Sequence, residues 1–130
     1  INDVWHKKLL GTGTDADKFE KFYQSILDRL KAKNVKIFLC TPAVVGERND
    51  QTNELDGDLN KYSKIIRSLA EKNNCVLVDL RKIFLEYLVK NNSLNKDRGI
   101  LTTDGVHLNA AGNKLVADSF FHALGNWIMK

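Results

Sequence analysis

The stretch Val35-Lys36-Ile37-Phe38-Leu39-Cys40-Thr41 is short and nearly continuously apolar, and Pro42 ends it. A strand that is buried on both faces of a parallel sheet has this composition, because neither of its faces meets solvent. The stretch Val76-Leu77-Val78-Asp79-Leu80 repeats the pattern later in the chain. The sequence therefore predicts two buried strands, one over residues 35–41 and one over residues 76–80.

Apolar residues at helical spacing surround these two stretches and predict amphipathic helices. The first helix begins at Thr14-Asp15-Ala16-Asp17, where a hydroxyl and early acids suit a helix start, and Asn34 is a suitable stop. Two further helices are predicted over 59–70 and 81–90, and Asn109 is predicted to cap a last one. The apolar residues at this spacing are Phe19, Phe22, Tyr23, Ile26, Leu27, Leu30, Leu59, Tyr62, Ile65, Ile66, Leu69, Ala70, Phe84, Tyr87, Leu88, Leu115, Phe120, Leu124 and Trp127. Of these, Phe84, Tyr87 and Leu88 are expected to face inward.

The order helix, strand, helix, strand, helix is typical of a doubly wound, flavodoxin-like α/β fold with three α/β/α layers. Such sheets carry their chemistry at the carboxyl ends of the strands. Asn2, the polar 42–57 loop and the 102–108 loop are all expected at that edge. Two strong strands and a fragment ending at Asn2 are few for these helices. We therefore expect the sheet to be incomplete at its N-terminal side, with at least one βαβ unit of roughly 30 residues coming from elsewhere.

Composition excludes several classes of protein. The chain has 130 residues and 43% hydrophobic content, enough for the core of one domain or part of one. No run of 18 apolar residues exists, so no membrane-spanning helix is predicted. Lys and Arg number 20 against 16 Asp and Glu, and the two signs are interleaved. This pattern indicates a solvated surface, and without a basic stripe bearing aromatics it argues against nucleic-acid binding.

Two cysteines, Cys40 and Cys75, are expected at opposite ends of two neighbouring parallel strands, beyond disulfide reach. We predict two free, mostly buried thiols. They leave the compartment open, and a secreted or periplasmic location is compatible with them. The polar stretch 91–99 is predicted to be a mobile surface loop.

The motif with the most chemical content is Thr102-Thr103-Asp104-Gly105-Val106-His107-Leu108-Asn109-Ala110-Ala111-Gly112. It places Asp104 three residues before His107 in a Gly-containing loop ahead of a helix. A carboxylate so placed can orient and stabilise an imidazole that takes up and returns a proton. We expect an Asp104 carboxylate oxygen within hydrogen-bond reach of a His107 ring nitrogen. Taken alone, the same residues also fit a surface His and a turn Asp before Gly105.

Together, Ile1-Asn2-Asp3 and Asp104-Gly105-Val106-His107 resemble the last positions of the Gly-x-Asn-Asp block and the Asp-x-x-His block of the SGNH hydrolases, also called GDSL esterases and lipases. The resemblance covers essentially all 130 residues. It departs from the family in one large respect, since no Gly-Asp-Ser block, which carries the nucleophile, occurs in this sequence. The resemblance therefore implies that residues 1–130 are the C-terminal portion of a single SGNH domain.

The resemblance also implies residue roles. His107 would be the general base and then the general acid, Asp104 would support it, and Asn2 would donate its amide to the oxyanion. Asn2 also fits a strand-end residue that caps a loop, and Asp3 is expected to make local hydrogen bonds. The implied activity is hydrolysis of small esters or acetylated sugars by a Ser-His-Asp triad whose Ser lies outside this chain. No cofactor or metal is implied.

The expected partners are an ester substrate and a cover for one open flank of the sheet. That flank would expose the apolar faces of Phe19, Phe22 and Ile26, or of the last helix, and would be covered by a missing N-terminal segment or by a second copy of the chain. A rival interpretation is a non-catalytic α/β ligand-binding or receiver-like module. A receiver needs an acidic cluster at the strand ends and a downstream Lys, whereas Asp79 is followed by Leu80 and Arg81.

Overall fold

A computed structural model describes residues 1–129 and contains five helices and two strands. These are α1 (Asn2–Leu10), α2 (Ala16–Lys31), β1 (Phe38–Cys40), α3 (Asp56–Lys72), β2 (Val76–Val78), α4 (Leu80–Asn91) and α5 (Ala110–Ile128). The two strands pair in parallel, with Phe38 opposite Val76 and Cys40 opposite Val78. The predicted α/β class with a parallel sheet is confirmed.

Helices cover both faces of the sheet because alternate strand residues point to opposite sides. Leu39 of β1 packs with Leu27 of α2 and with Ile66 and Leu69 of α3. On the other face, Val78 of β2 joins a cluster with α4 and the segment before α5, whose buried members are Val44, Leu80, Phe84, Leu88 and Leu101. The result is a three-layer α/β/α arrangement around a short sheet.

Both strands lie where the sequence predicts them but are shorter. Ladder bonds extend the pairing by one residue at each end, since Val76 N donates to Ile37 O at 3.1 Å and Thr41 N donates to Val78 O at 3.2 Å. Val35 is nearly half exposed and lies outside the sheet. At the other strand, Asp79 becomes the N-cap of α4, and its side chain accepts a hydrogen bond from Lys82 N.

The predicted strand fragment ending at Asn2 is wrong, because Asn2 is the first residue of α1. The Ile1 carbonyl accepts hydrogen bonds from the backbone N–H groups of Val4 and Trp5, which starts the helix. Asp3 lies in the first turn, where a helix dipole favours a negative charge. Sequence periodicity gave no signal for α1, since Val4 is its one buried residue and the helix carries no apolar stripe.

The polar stretch 91–99 is not a loosely attached loop. Asn92 is fully buried, and its side-chain amide donates to Glu47 O and Lys96 O, both at 2.8 Å. Its side-chain oxygen accepts from Lys96 N at 2.9 Å. The expected mobility is therefore corrected, because a buried amide with three hydrogen bonds holds this segment against the loop that joins β1 to α3.

An apolar groove of about 620 Å³ extends from α2 past the end of β1 to α5. Within residues 1–129, β1 has no strand on its other edge. The predicted exposure of Phe22 and Ile26 is confirmed, at 61% and 52%, whereas Phe19 is half-buried. The groove residues are Ile1, Thr14, Phe19, Phe22, Tyr23, Ile26, Cys40, Thr41, Pro42, Ala43, Val44, Ile66, Leu80, Val106, Leu108 and Val116.

Two smaller predictions also have clear outcomes. Cys40 and Cys75 are both free, at opposite ends of the sheet, as predicted. Asn109 caps α5 as predicted, and its side chain accepts from Gly112 N at 3.0 Å. None of the helices in the described part of the chain combines the length and apolarity needed to cross a bilayer.

Candidate active site

The loop between Thr102 and Leu108 is a tight, closed turn. Thr102 and Leu108 form an antiparallel bridge, and Thr103 N donates to His107 O at 2.8 Å. Gly105 has φ +97°, a backbone conformation that L side chains rarely adopt, so the turn requires glycine there. The bridge brings the chain back on itself so that Asp104 and His107 lie on the same tip.

Within this turn, the Asp104 carboxylate makes three hydrogen bonds, two with His107 and one with Val106. Its Oδ2 lies 2.7 Å from His107 Nδ1, and its Oδ1 accepts from the backbone N–H groups of His107 at 2.8 Å and of Val106 at 2.9 Å. The geometry expected from the i, i+3 spacing is confirmed. With Nδ1 donating to Asp104, Nε2 is the ring nitrogen free to accept a proton from a third group.

The same contacts act on the ionisation of Asp104. The hydrogen bond from the His107 side chain, followed by those from the His107 and Val106 backbone, holds the pKa of Asp104 well below its ordinary range. Asp104 is therefore a carboxylate at every pH at which an imidazole can be neutral. This is the charge state that stabilises an imidazolium during proton transfer.

Trp5 of α1 forms one wall of the dyad. Its ring meets the His107 ring edge-on, with centroids 5.6 Å apart and an interplanar angle of 81°. The His6 ring also lies close to Trp5, with centroids 5.1 Å apart. The side chains of His107 and Asp104 nevertheless remain 67% and 49% exposed.

Asn2 lies one helical turn before Trp5, at the exposed start of α1. The contact between Trp5 and His107 brings the start of α1 to the side of the dyad. Among the described residues, no hydrogen bond joins Asn2 to Asp104 or His107. Asp3 Oδ1 accepts from Thr14 N at 2.9 Å, so its hydrogen bond ties the start of α1 to the segment after the helix and is not the local contact that was expected.

Glu47, which is fully buried beneath the dyad loop, is a residue that the sequence alone did not reveal. Its carboxylate accepts hydrogen bonds from residues 100–102, the segment that leads into Asp104. Nothing in the local sequence marks it, because Glu47 stands in a polar loop where acidic residues are common and ordinarily exposed. A buried carboxylate of this kind is recognised only once the fold is known.

The acidic residue that a receiver-like module would use is committed to structural contacts. Asp79, the strand-end acid that a receiver would need, is held by Arg67 through two hydrogen bonds of 2.8 and 2.9 Å. It also accepts from the Thr41 hydroxyl at 3.0 Å. Asp79 thus anchors α3 to the end of β2.

His122 is exposed on α5, far along the chain from the motif.

Comparison with known proteins shows the family to which this chain belongs. A family model described as the GDSL-like Lipase/Acylhydrolase family matches residues 1–115. The chain belongs to this family. The SGNH, or GDSL, resemblance of the two terminal motifs is thereby confirmed, and the α/β fold is that of the family's solved structures.

Three relatives illustrate the similarity. The crystal structure of the acetyl xylan esterase AlAXEase has a TM-score of 0.93 and 63% identity, covering 95% of this chain and 62% of that protein. LAE5, an α/β hydrolase enzyme from the metagenome of Lake Arreo, has a TM-score of 0.80 and 26% identity, covering 96% and 56%. An acetylxylan esterase of Geobacillus stearothermophilus is 28% identical, covering 98% of this chain and 58% of that protein. The chain thus spans about three-fifths of the length of these relatives.

The hydrogen bonds at Asp104 lead to a prediction that needs no substrate. A carbon-13 NMR titration of the Asp104 carboxyl is expected to show a midpoint below the ordinary value of 3.8. His107→Ala should raise that midpoint, because it removes the largest contribution and leaves only the backbone donors. The matched control His6→Ala should leave the midpoint where it is, since His6 contacts Trp5 and makes no hydrogen bond to Asp104. A wild-type midpoint at or above 3.8 would contradict the dyad.

Proposed function

We propose that the protein containing this chain is a serine ester hydrolase that acts on small esters or acetylated sugars. The observation that carries the proposal is the 2.7 Å contact between Asp104 and His107 on a tip that leaves Nε2 free. Two relatives that are acetylxylan esterases support acetylated sugars as the substrate class. The family membership supports ester hydrolysis as the reaction.

In the proposed mechanism a Ser hydroxyl attacks the ester carbonyl while His107 Nε2 takes its proton. Asp104 stabilises the resulting imidazolium. The tetrahedral intermediate then collapses, the C–O bond to the alcohol breaks, and His107 returns the proton to the departing alkoxide. Water, activated by His107 in the same way, hydrolyses the acyl-enzyme and releases the acid. The side-chain amide of Asn2 is proposed to hold the oxyanion in both tetrahedral intermediates.

The nucleophile is proposed to come from outside these 130 residues. No serine in the described part of the chain is hydrogen-bonded to the His107 ring. Structures of the Geobacillus stearothermophilus esterase include catalytic mutants in which a serine and a histidine are replaced by alanine. Residues 1–130 are accordingly proposed to be the C-terminal portion of a single domain, with the serine in the remaining portion.

The central test is His107→Ala in the whole protein. Hydrolysis of p-nitrophenyl acetate is expected to fall about a thousandfold or more, because the general base of a triad is lost. His122→Ala is the matched control, since His122 is exposed on α5 and should leave kcat unchanged. Activity that survives in His107→Ala would contradict the proposed triad, whereas a wild-type protein without activity would favour the ligand-binding module.

Asn2→Ala tests the proposed oxyanion donor. Removal of one such donor is expected to lower kcat by about 10²- to 10³-fold with little change in KM, since the contact forms chiefly in the transition state. Asn126→Ala serves as a control, because Asn126 is an exposed amide near the end of α5. A kcat for Asn2→Ala equal to that of the wild type would remove Asn2 from the mechanism.

The apolar groove is proposed to be covered by the portion of the domain that carries the nucleophile, in preference to a second copy of the chain. Two observations support this occupant. Val106 and Leu108 of the dyad loop line the groove, so a segment lying there would also reach His107. The chain also spans only 62% of AlAXEase at a TM-score of 0.93, which leaves room for such a segment.

Phe22→Ala in the whole protein distinguishes a covered groove from a bare one. If Phe22 is buried under the cover, the substitution should cost about 3 kcal/mol in the free energy of unfolding, measured with urea. Leu94→Ala, at a loop residue that is 75% exposed, should change it by about 0.5 kcal/mol or less. A loss that grows on dilution, with a dimer in the wild type and a monomer in the variant, would identify a second copy as the cover.

A further inference from the structure

Glu47 is the most completely enclosed carboxylate of the described chain, with no exposed surface. Its Oε1 accepts hydrogen bonds from Leu101 N at 2.8 Å, from Thr102 N at 2.5 Å and from the Thr102 hydroxyl at 2.6 Å. Its Oε2 accepts from Ile100 N at 2.7 Å. Four donors from three consecutive residues thus converge on one carboxylate.

The Thr102 hydroxyl passes this constraint on to the dyad loop. While it donates to Glu47, it also accepts a hydrogen bond from Gly105 N at 3.0 Å. In the chain, Gly105 lies between Asp104 and the residues Val106 and His107, whose backbone N–H groups donate to the Asp104 carboxylate. The path from the buried carboxylate to the dyad is therefore Glu47, the Thr102 hydroxyl, the Gly105 N–H and the turn itself.

The segment that carries Glu47 also holds the turn from its other side. Gly46 N donates to Gly105 O at 2.8 Å, so both backbone groups of Gly105 are bonded. Glu47 N donates to Asp97 O at 2.9 Å, and Glu47 O accepts from the Asn92 side chain at 2.8 Å. Glu47 is thereby fixed at its backbone and at its side chain, and it can serve as a rigid reference for the loop.

We propose that Glu47 is a positioning residue for His107. Glu47 acts through the Thr102 hydroxyl and fixes the Asp104–His107 turn in the position and orientation that proton transfer requires. The inference rests on the proposed function for its catalytic consequence. Glu47 touches neither substrate nor reacting atoms. Its effect comes from geometry, since a displacement of about 1 Å in a catalytic group can cost on the order of 10² in rate.

The chemistry of the donor set explains why a carboxylate is needed. All four partners are N–H or O–H donors, so the side chain at position 47 must accept all four hydrogen bonds. An amide at this position would turn its NH₂ toward a backbone N–H and lose at least one of these bonds. A buried N–H without a partner destabilises the segment and lets it shift.

The test uses Thr102, because Thr102→Val keeps the shape of the side chain and removes the relay hydroxyl. In the whole protein, Thr102→Val is expected to lower kcat for p-nitrophenyl acetate about 10- to 100-fold while KM changes less than about threefold. Thr102→Ser restores the hydroxyl and should return kcat to within about threefold of wild type. Glu47→Gln should resemble Thr102→Val.

A second readout is independent of turnover. Nitrogen-15 shifts of the His107 ring report which nitrogen carries the proton, and they should change in Thr102→Val and Glu47→Gln but not in Thr102→Ser. Leu27→Ala, at a buried leucine packed against Leu39, is the control for general destabilisation. It should lower the urea midpoint without altering kcat or the ring shifts.

The outcomes separate this inference from the proposed function. If Thr102→Val and Glu47→Gln lower only the urea midpoint, with kcat per folded molecule and the His107 shifts as in wild type, Glu47 is a structural brace and the inference is wrong. If Glu47→Gln does not fold, Thr102→Val against Thr102→Ser decides the matter. If His107→Ala retains activity, the proposed function fails, whereas the ring shifts still decide whether Glu47 positions His107.

Discussion

The buried carboxylate of Glu47 is the constraint on which the candidate site depends. Taking a carboxylate out of water costs several kcal/mol unless the protein supplies hydrogen bonds in place of the lost solvent. Here three of the four hydrogen-bond donors are backbone N–H groups, from residues 100–102. Because three consecutive N–H groups are committed, that segment cannot change its path without losing several bonds together. The loop that carries Asp104 and His107 therefore starts from a fixed point.

A second buried charge fixes the other end of the loop that bears Glu47. Arg81 donates to Asp56 at 2.5 Å, and both side chains are at least 95% buried, with exposed fractions of 1% and 5%. The same guanidinium donates to Ala43 O at 3.2 Å and to the Asn60 side chain at 2.9 Å. The loop that bears Glu47 runs from the end of β1 at Cys40 to the start of α3 at Asp56. Loops of this length without secondary structure are uncommon in compact domains unless they serve a function. This one is held at Ala43, at Glu47 and at Asp56, so it acts as a scaffold.

The sequence predicted what depends on local pattern and missed what depends on burial. Apolar periodicity predicted α2 to α5 and both strands, and the i, i+3 spacing predicted the contact between Asp104 and His107. Helix α1 was missed because its one buried residue, Val4, leaves no periodic signal. Glu47 and Asn92 were missed for a different reason, since a polar residue in a polar loop is ordinarily exposed. Only the tertiary fold shows that each of them has a hydrogen-bond partner more than forty residues away.

Exposure of the dyad connects the site to the apolar groove. A carboxylate–imidazole pair in contact with water gains less from its opposite charges than a buried pair, because the solvent screens them. Triad chemistry is strongest where water is excluded and the dipoles are fixed in advance. The Asp104–His107 turn has the fixed dipoles, through Glu47 and Gly105, but not the exclusion of water. Val106 and Leu108 place the dyad at the rim of the groove that exposes Phe22 and Ile26. One cover over that groove would therefore do two things: bury the apolar face of α2, and lower the local dielectric around His107. The stability of the domain and the exclusion of water from its dyad would then depend on the same contact surface.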